Sequence, residues 1–102
     1  MDFNQTEINV VIWARERKIY TNYSDLAQIS KLTEELSELI LAINKNDVDE
    51  ITDAIGDMMV VLTNICHMRC TCKMADCYNT AYESIKDRKG TMINGTFVKE
   101  VL

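Results

Sequence analysis

The sequence predicts an all-α fold: an antiparallel four-helix bundle followed by a short C-terminal hairpin or extended tail. Three observations carry that expectation. The 102 residues contain no proline and only three glycines, so little interrupts a helix. Apolar residues recur at helical spacing in successive segments. The connections between those segments are short, as between antiparallel neighbours.

The first helix runs from about Gln5 to Tyr20, with Asn4 as its N-cap and Ile8, Val11, Ile12 and Ile19 near one face. Trp13 on this helix reads as a packing anchor. The stretch TNYS is a loop, and Ser24 caps the second helix, which continues to about Asn44. Its apolar stripe is Leu26, Ile29, Leu36, Ile40 and Ile43. The tight NKND connection makes helices two and three an antiparallel hairpin. Asp47 is the next N-cap, and Glu50 three residues on suits a capping box. The third helix extends to about Arg69, where CTCK breaks it, and the fourth covers roughly Ala75 to Lys86. In the tail DRKGTMINGTFVKEVL, Asn94-Gly95 between short apolar runs signals a two-residue hairpin turn. The length fits a single domain over residues 1–102.

Composition narrows the function classes. The net charge of −5 argues against a general nucleic-acid binder, which needs a basic surface. The longest apolar runs, LILAI and MMVVL, are far too short to span a bilayer. The N-terminus lacks the basic-then-apolar pattern of a signal peptide, so a cytoplasmic location without membrane contact is expected. There the four cysteines are expected as reduced thiols.

Six acids in two adjacent helices stand out: Glu34, Glu35 and Glu38, then Glu50, Asp53 and Asp57. On the second helix the glutamates fall opposite the apolar stripe, as on a solvated face. On the third helix, Glu50, Asp53, Ala54 and Asp57 share one face that continues into Val61, Asn64 and Met68. A face open to water rarely turns apolar two turns later, so the acid line is expected to run into buried surface. A second apolar stripe, Ile51, Ile55, Met58 and Leu62, leaves this helix apolar on more than one side. Counting outward from the loop puts Glu38 level with Asp53, Glu34 with Asp57 one turn deeper, and Glu35 and Glu50 alongside. Such a pocket repels itself unless a cation neutralises it. All-oxygen ligands favour Mg²⁺, or alternatively Mn²⁺, over zinc or copper.

EELSE followed by EITD resembles the paired acidic motifs of the MazG-like all-α nucleoside triphosphate pyrophosphohydrolases. EITDAIGDMMVVL resembles their third helix, and YESIKDRKGTMINGTFVKE the tail of small, phage-type members. The likeness covers about Leu32 to Glu100. It departs from the pattern at Glu83, where many relatives carry asparagine, and in the Cys-rich stretch. The resemblance implies Mg²⁺-dependent hydrolysis of a (d)NTP between the α and β phosphates, giving a (d)NMP and pyrophosphate in nucleotide-pool control. It implies a homodimer or homotetramer, in a host cytoplasm if the chain is phage-encoded. By position, Glu35, Glu38, Glu50 and Asp53 would ligate metal. Glu34 and Asp57 would complete the site as an added ligand, an orienting group or a general base, and Glu38 belongs with them to the catalytic set. The tail offers Lys86, Arg88, Lys89 and Lys99 as cations for the phosphates, with Gly90 letting the backbone turn. Asn64 would either hydrogen-bond a base or sugar, or serve as a buried polar residue between helices. The alternative to an enzyme is a non-catalytic helical oligomer whose acid face binds a divalent ion or a basic partner.

Cys66, His67, Cys70, Cys72 and Cys77 invite a zinc reading. Yet Cys66, Cys70 and Cys77 would share one face of a continuous helix, as small core residues do. Their spacing matches no standard pair of zinc knuckles. The expectation is therefore core cysteines rather than a metal site.

Overall fold

A computed structural model of the chain describes residues 1–101. Four helices come first: α1 (Phe3–Glu16), α2 (Asp25–Asn44), α3 (Val48–Arg69) and α4 (Met74–Ile85). Two strands follow, β1 (Gly90–Ile93) and β2 (Thr96–Lys99). The architecture is the expected all-α one with a C-terminal hairpin.

Two details of α1 differ from the sequence reading. Asp2, not Asn4, caps it, its carboxylate accepting from the Gln5 N–H at 2.8 Å. The helix also stops at Glu16 instead of reaching Tyr20. Lys18 adopts a left-handed φ of 62°. The Ile19 N–H then bonds to the Ala14 carbonyl and the Lys18 N–H to the Arg15 carbonyl, the paired bonds of a Schellman stop. No glycine or asparagine marks this stop, so the sequence concealed it. Trp13 is not a buried anchor within the chain: it is 44% exposed, with the Arg17 guanidinium 4.5 Å above its ring.

The α2–α3 hairpin is built around Asp47. Asn46, with φ of 55°, donates to the Ile43 carbonyl, and the Asp47 N–H reaches the Ala42 carbonyl. These bonds end α2. The Asp47 carboxylate then accepts from the Glu50 N–H at 3.1 Å and starts α3. One residue therefore closes one helix and opens the next. The expected capping box is half formed: because the Asp47 N–H is committed to α2, the Glu50 carboxylate turns to Lys45, 3.7 Å away.

α3 packs along α2, and α1 crosses α3 while also meeting α4. Small residues mark the close approaches: Ala14, Ala42, Ala54, Val61 and Cys66 form the buried core. No large side chain is fully buried among the described residues. Beside the core, Asn64 accepts from the Tyr20 hydroxyl at 2.9 Å, and Tyr20 stacks on His67 with ring centroids 4.2 Å apart. This pins the α1–α2 loop onto α3. The carboxylate of Glu7 on α1 accepts from the Met74 N–H at 2.9 and 3.1 Å and so holds the start of α4.

β1 and β2 pair antiparallel, with Gly90 opposite Lys99 and Ile93 opposite Thr96. Asn94 and Gly95 both carry positive φ, 50° and 81°, as a tight hairpin turn requires. Gly90 has a different role from the turning residue expected of it. A Cβ there would collide with the Val98 carbonyl oxygen and the Phe97 ring, so glycine permits close cross-strand packing.

Candidate functional site

The hairpin turn sets the rotation of α2 against α3, and that rotation chooses which acids meet. Carboxylate oxygens of Glu35, Glu38 and Asp57 lie within 4.8 Å of one another. Glu35 sits deepest, on the side of α2 that faces α3, and is only 5% exposed. One of its oxygens lies 3.3 Å from the Lys31 ammonium. The other, Oε2, is buried without a hydrogen-bond partner, alone in this among the described residues. A buried carboxylate oxygen without a donor carries a desolvation cost that a cation removes.

The electrostatics point the same way. Once protonated, Glu38 can donate to Glu35, and that bond first, then the negative charge of Glu35, holds the Glu38 carboxyl above its ordinary value of 4.5. Burial does the same for Asp57, with the charges of Asp53 and Glu35 adding to it. Glu38 therefore holds its proton more tightly chiefly because of Glu35, and Asp57 chiefly because it is taken from water, with the neighbouring carboxylates adding to it. Lys31 is the local counter-charge, its ammonium stabilised first by Glu35 and then by Glu34. An arrangement of oxygen donors with one orphaned buried atom and mutual repulsion fits a divalent cation.

Beside this cluster, Glu38, Glu50 and Asp53 line a hollow of about 310 Å³ with Leu41, Lys45 and Ala54. Glu38 belongs to both groups and joins them. Glu34 stands outside: its side chain is 62% exposed and lies 3.4 Å from Lys31. The hairpin thus sets Glu35, where the count from the loop suggested Glu34, against Asp57. The expectation that the acid line of α3 runs into buried surface agrees with Ala54, Val61 and Asn64, all buried, but not with Met68 at its far end, which is exposed.

The basic residues gather elsewhere. Arg88, Lys89 and Lys99 line a second hollow of about 310 Å³ with Glu100, at the base of the strand pair. The Glu100 N–H donates to the Lys89 carbonyl at 2.8 Å and closes that base. Lys86 stands apart, its ammonium 2.6 Å from Glu83. A larger hollow, about 720 Å³, opens between α1 and α4. Its lining, which includes Phe3, Tyr78, Tyr82 and Ile85, carries no charged group.

Sequence reasoning passed over three features. Lys31 was detectable as the lysine four residues before Glu35 on one helix. Lys45 caps the end of α2 in the NKND connection, and it shares the acid hollow. Of the cysteines read as core residues of one helix face, Cys66 is buried as expected, but Cys70 and Cys77 meet it and Cys72 across a break between α3 and α4, with Cys70 and Cys72 exposed.

No helix among the described residues is long and apolar enough to cross a membrane. Residues 24–93 match the family described as MazG nucleotide pyrophosphohydrolase domain. An uncharacterized 18.2 kDa protein from the rep-hol intergenic region of Haemophilus phage HP1 (strain HP1c1) is 38% identical over 61 residues. The match takes in 60% of this chain but only 37% of that relative's length. No solved structure matches the chain.

Proposed function

Because this chain belongs to the MazG nucleotide pyrophosphohydrolase family, we propose that it hydrolyses a nucleoside triphosphate between the α and β phosphates. The products are a nucleoside monophosphate and pyrophosphate. The observation that carries this reading is Glu35 Oε2, buried and without a partner beside Glu38 and Asp57. The residues proposed to hold Mg²⁺, or Mn²⁺ in its place, are Glu35, Glu38, Glu50 and Asp53. A divalent cation there supplies positive charge for the phosphates and makes a water easier to deprotonate.

The chain's own groups do the rest. A water oxygen attacks phosphorus, the bridging P–O bond breaks, and the water proton passes to a carboxylate. Asp57 and Glu38 are proposed for that role because their carboxylates lie beside Glu35, where the cation would sit. Glu34, exposed on the rim, is left as an orienting group. Arg88, Lys89 and Lys99 are the proposed phosphate cradle, their cations matched to an anionic ligand. Lys86 joins them on release from Glu83. Asn64, committed to Tyr20, reaches the base or sugar only by exchanging that bond.

The working form we propose is a homodimer or homotetramer. Support comes from the apolar side chains left uncovered on α2, among them Leu36, Ile40 and Ile43. The setting is nucleotide-pool control in a cytoplasm, that of a host cell for a phage-encoded chain. The Haemophilus phage relative supports the phage link.

The test is a panel of dNTPs and NTPs incubated with Mg²⁺ or EDTA and assayed for pyrophosphate. Metal-dependent release from at least one nucleotide is expected. None from any nucleotide would leave the non-catalytic, ion-binding reading in its place. Glu38→Gln is expected to lower kcat by roughly 10²-fold or more with helicity retained. A fully active variant would remove Glu38 from the site.

A further inference from the structure

Four thiols converge where α3 gives way to α4. Cys66 lies in the last turn of α3, Cys70 caps that helix, Cys72 sits in the bend and Cys77 near the start of α4. Their sulfur atoms all lie within 4.8 Å of one another. Cys77 is the hub, with its sulfur 3.6 Å from that of Cys66 and 3.7 Å from that of Cys72. Four thiolates on a tetrahedral ion with bonds of about 2.3 Å have sulfurs about 3.8 Å apart. The cluster is therefore close to that spacing, although all four are free thiols. Thiols are weak donors and weak acceptors, so contact among themselves explains little of the convergence.

The neighbouring residues narrow the choice of ion. His67, in the same stretch, is stacked on Tyr20 and is not a member of the group. No carboxylate joins the four sulfurs either. An all-sulfur donor set selects a soft or borderline ion and disfavours Mg²⁺, Ca²⁺ and Mn²⁺. Four protein ligands leave no open coordination position, which is the pattern of a structural site rather than a catalytic one.

We propose that Cys66, Cys70, Cys72 and Cys77 form a structural tetrathiolate site for Zn²⁺ that ties the end of α3 to the start of α4. Binding exchanges four S–H protons for four Zn–S bonds, releasing four protons and leaving the site with a net charge of minus two. Arg69 and Lys73, which flank the bend in sequence, bring positive charge to that segment, and the N-terminal end of α4 adds its dipole at Cys77. The need for such a tie is visible in α4. None of its residues is buried, and its packing within the chain is chiefly against α1. A metal clip offsets a core too small to hold an element by itself. It also fixes the root of the tail that carries Arg88, Lys89 and Lys99.

The full chain, grown with zinc and purified under reducing conditions without chelator, should hold one zinc per chain by elemental analysis and native mass spectrometry. Co²⁺ exchanged into it should give sulfur-to-metal charge transfer and the intense visible bands of tetrahedral thiolate ligation. Cobalt on the α2–α3 carboxylates alone would give only weak bands. Cys72→Ser, at an exposed position, should lose the intense bands and the zinc while keeping its helical circular dichroism. Weak bands only, with four thiols reacting freely while Zn²⁺ is present, would overturn the site. Full zinc retention by Cys72→Ser would also overturn it, as would a metal-free chain linked by a Cys66–Cys77 disulfide. The wild-type cobalt spectrum decides the matter even where Cys72→Ser fails to fold.

Discussion

A carboxylate oxygen sealed from water without a donor makes the folded state resist its own charge. Glu35 Oε2 is such an atom, and the strain shows in its neighbours Glu38 and Asp57. Both hold their protons above the ordinary values of 4.5 and 3.8. A carboxyl whose folded-state pKa is raised contributes stability that is complete below the unfolded value and lost as pH rises through the folded value. The metal-free protein is therefore expected to lose thermal stability as pH climbs from the carboxylate range toward neutrality. Mg²⁺ should restore the loss most fully at neutral pH, where the carboxylates are ionised. Thermal melts in EDTA and in Mg²⁺ across that range check this, and parallel curves would sink it. Glu38→Gln removes a repelling charge from an exposed position. It should leave the metal-free melting temperature unchanged or higher and abolish the rise on adding Mg²⁺.

At the scale of elements, the α2–α3 hairpin shows what a sequence reveals. NKND could be read as a turn because Asn46 tolerates a left-handed φ and Asp47 caps a helix. The acids of the two helices could be read as facing one another for the same reason. Which glutamate meets Asp57 could not be read. Neighbouring residues on a helix differ by about 100° in direction, and the angle at which a chain leaves a turn depends on bonds the sequence does not display. The end of α1 was hidden similarly, since a lysine takes the left-handed position usually given to glycine or asparagine. Cys70 was misread because periodicity was carried across a break: once α3 stops at Arg69, Cys70 no longer lies on its face, whereas Cys66, inside α3, is buried as expected. Asn46→Ile tests the turn, because a β-branched residue in a left-handed conformation costs about 1–2 kcal/mol. That loss should appear in urea unfolding, whereas Asn46→Gly should be close to neutral. Equal stability for both would mean the turn does not control the hairpin.

For the whole molecule the surface is the informative quantity. A compact monomer of 11.7 kDa exposes roughly 5,900 Å². This chain exposes 7965 Å². Its radius of gyration is 16.2 Å, against about 13 Å for a compact domain of this length. The apolar stripes of α2 and α3 account for part of the excess, with Ile40 at 53% and Ile55 at 47% exposure. Sedimentation should therefore detect a homodimer or homotetramer, and Ile40→Asp should shift it toward monomer. A wild-type chain that sediments as a monomer at micromolar concentration would contradict this. The shared Asp47 also has a consequence for the order of events in folding. Contacts closed by so short a turn are local, and local contacts form early because little chain entropy is lost in making them. Packing between separate chains waits on diffusion and slows with dilution. The acid pocket should thus assemble while the protein is still a single chain, before any subunit meets another. In stopped-flow refolding, Mg²⁺ should accelerate the early, concentration-independent phase and leave the later bimolecular phase unchanged. The opposite pattern would mean that the pocket is a product of assembly.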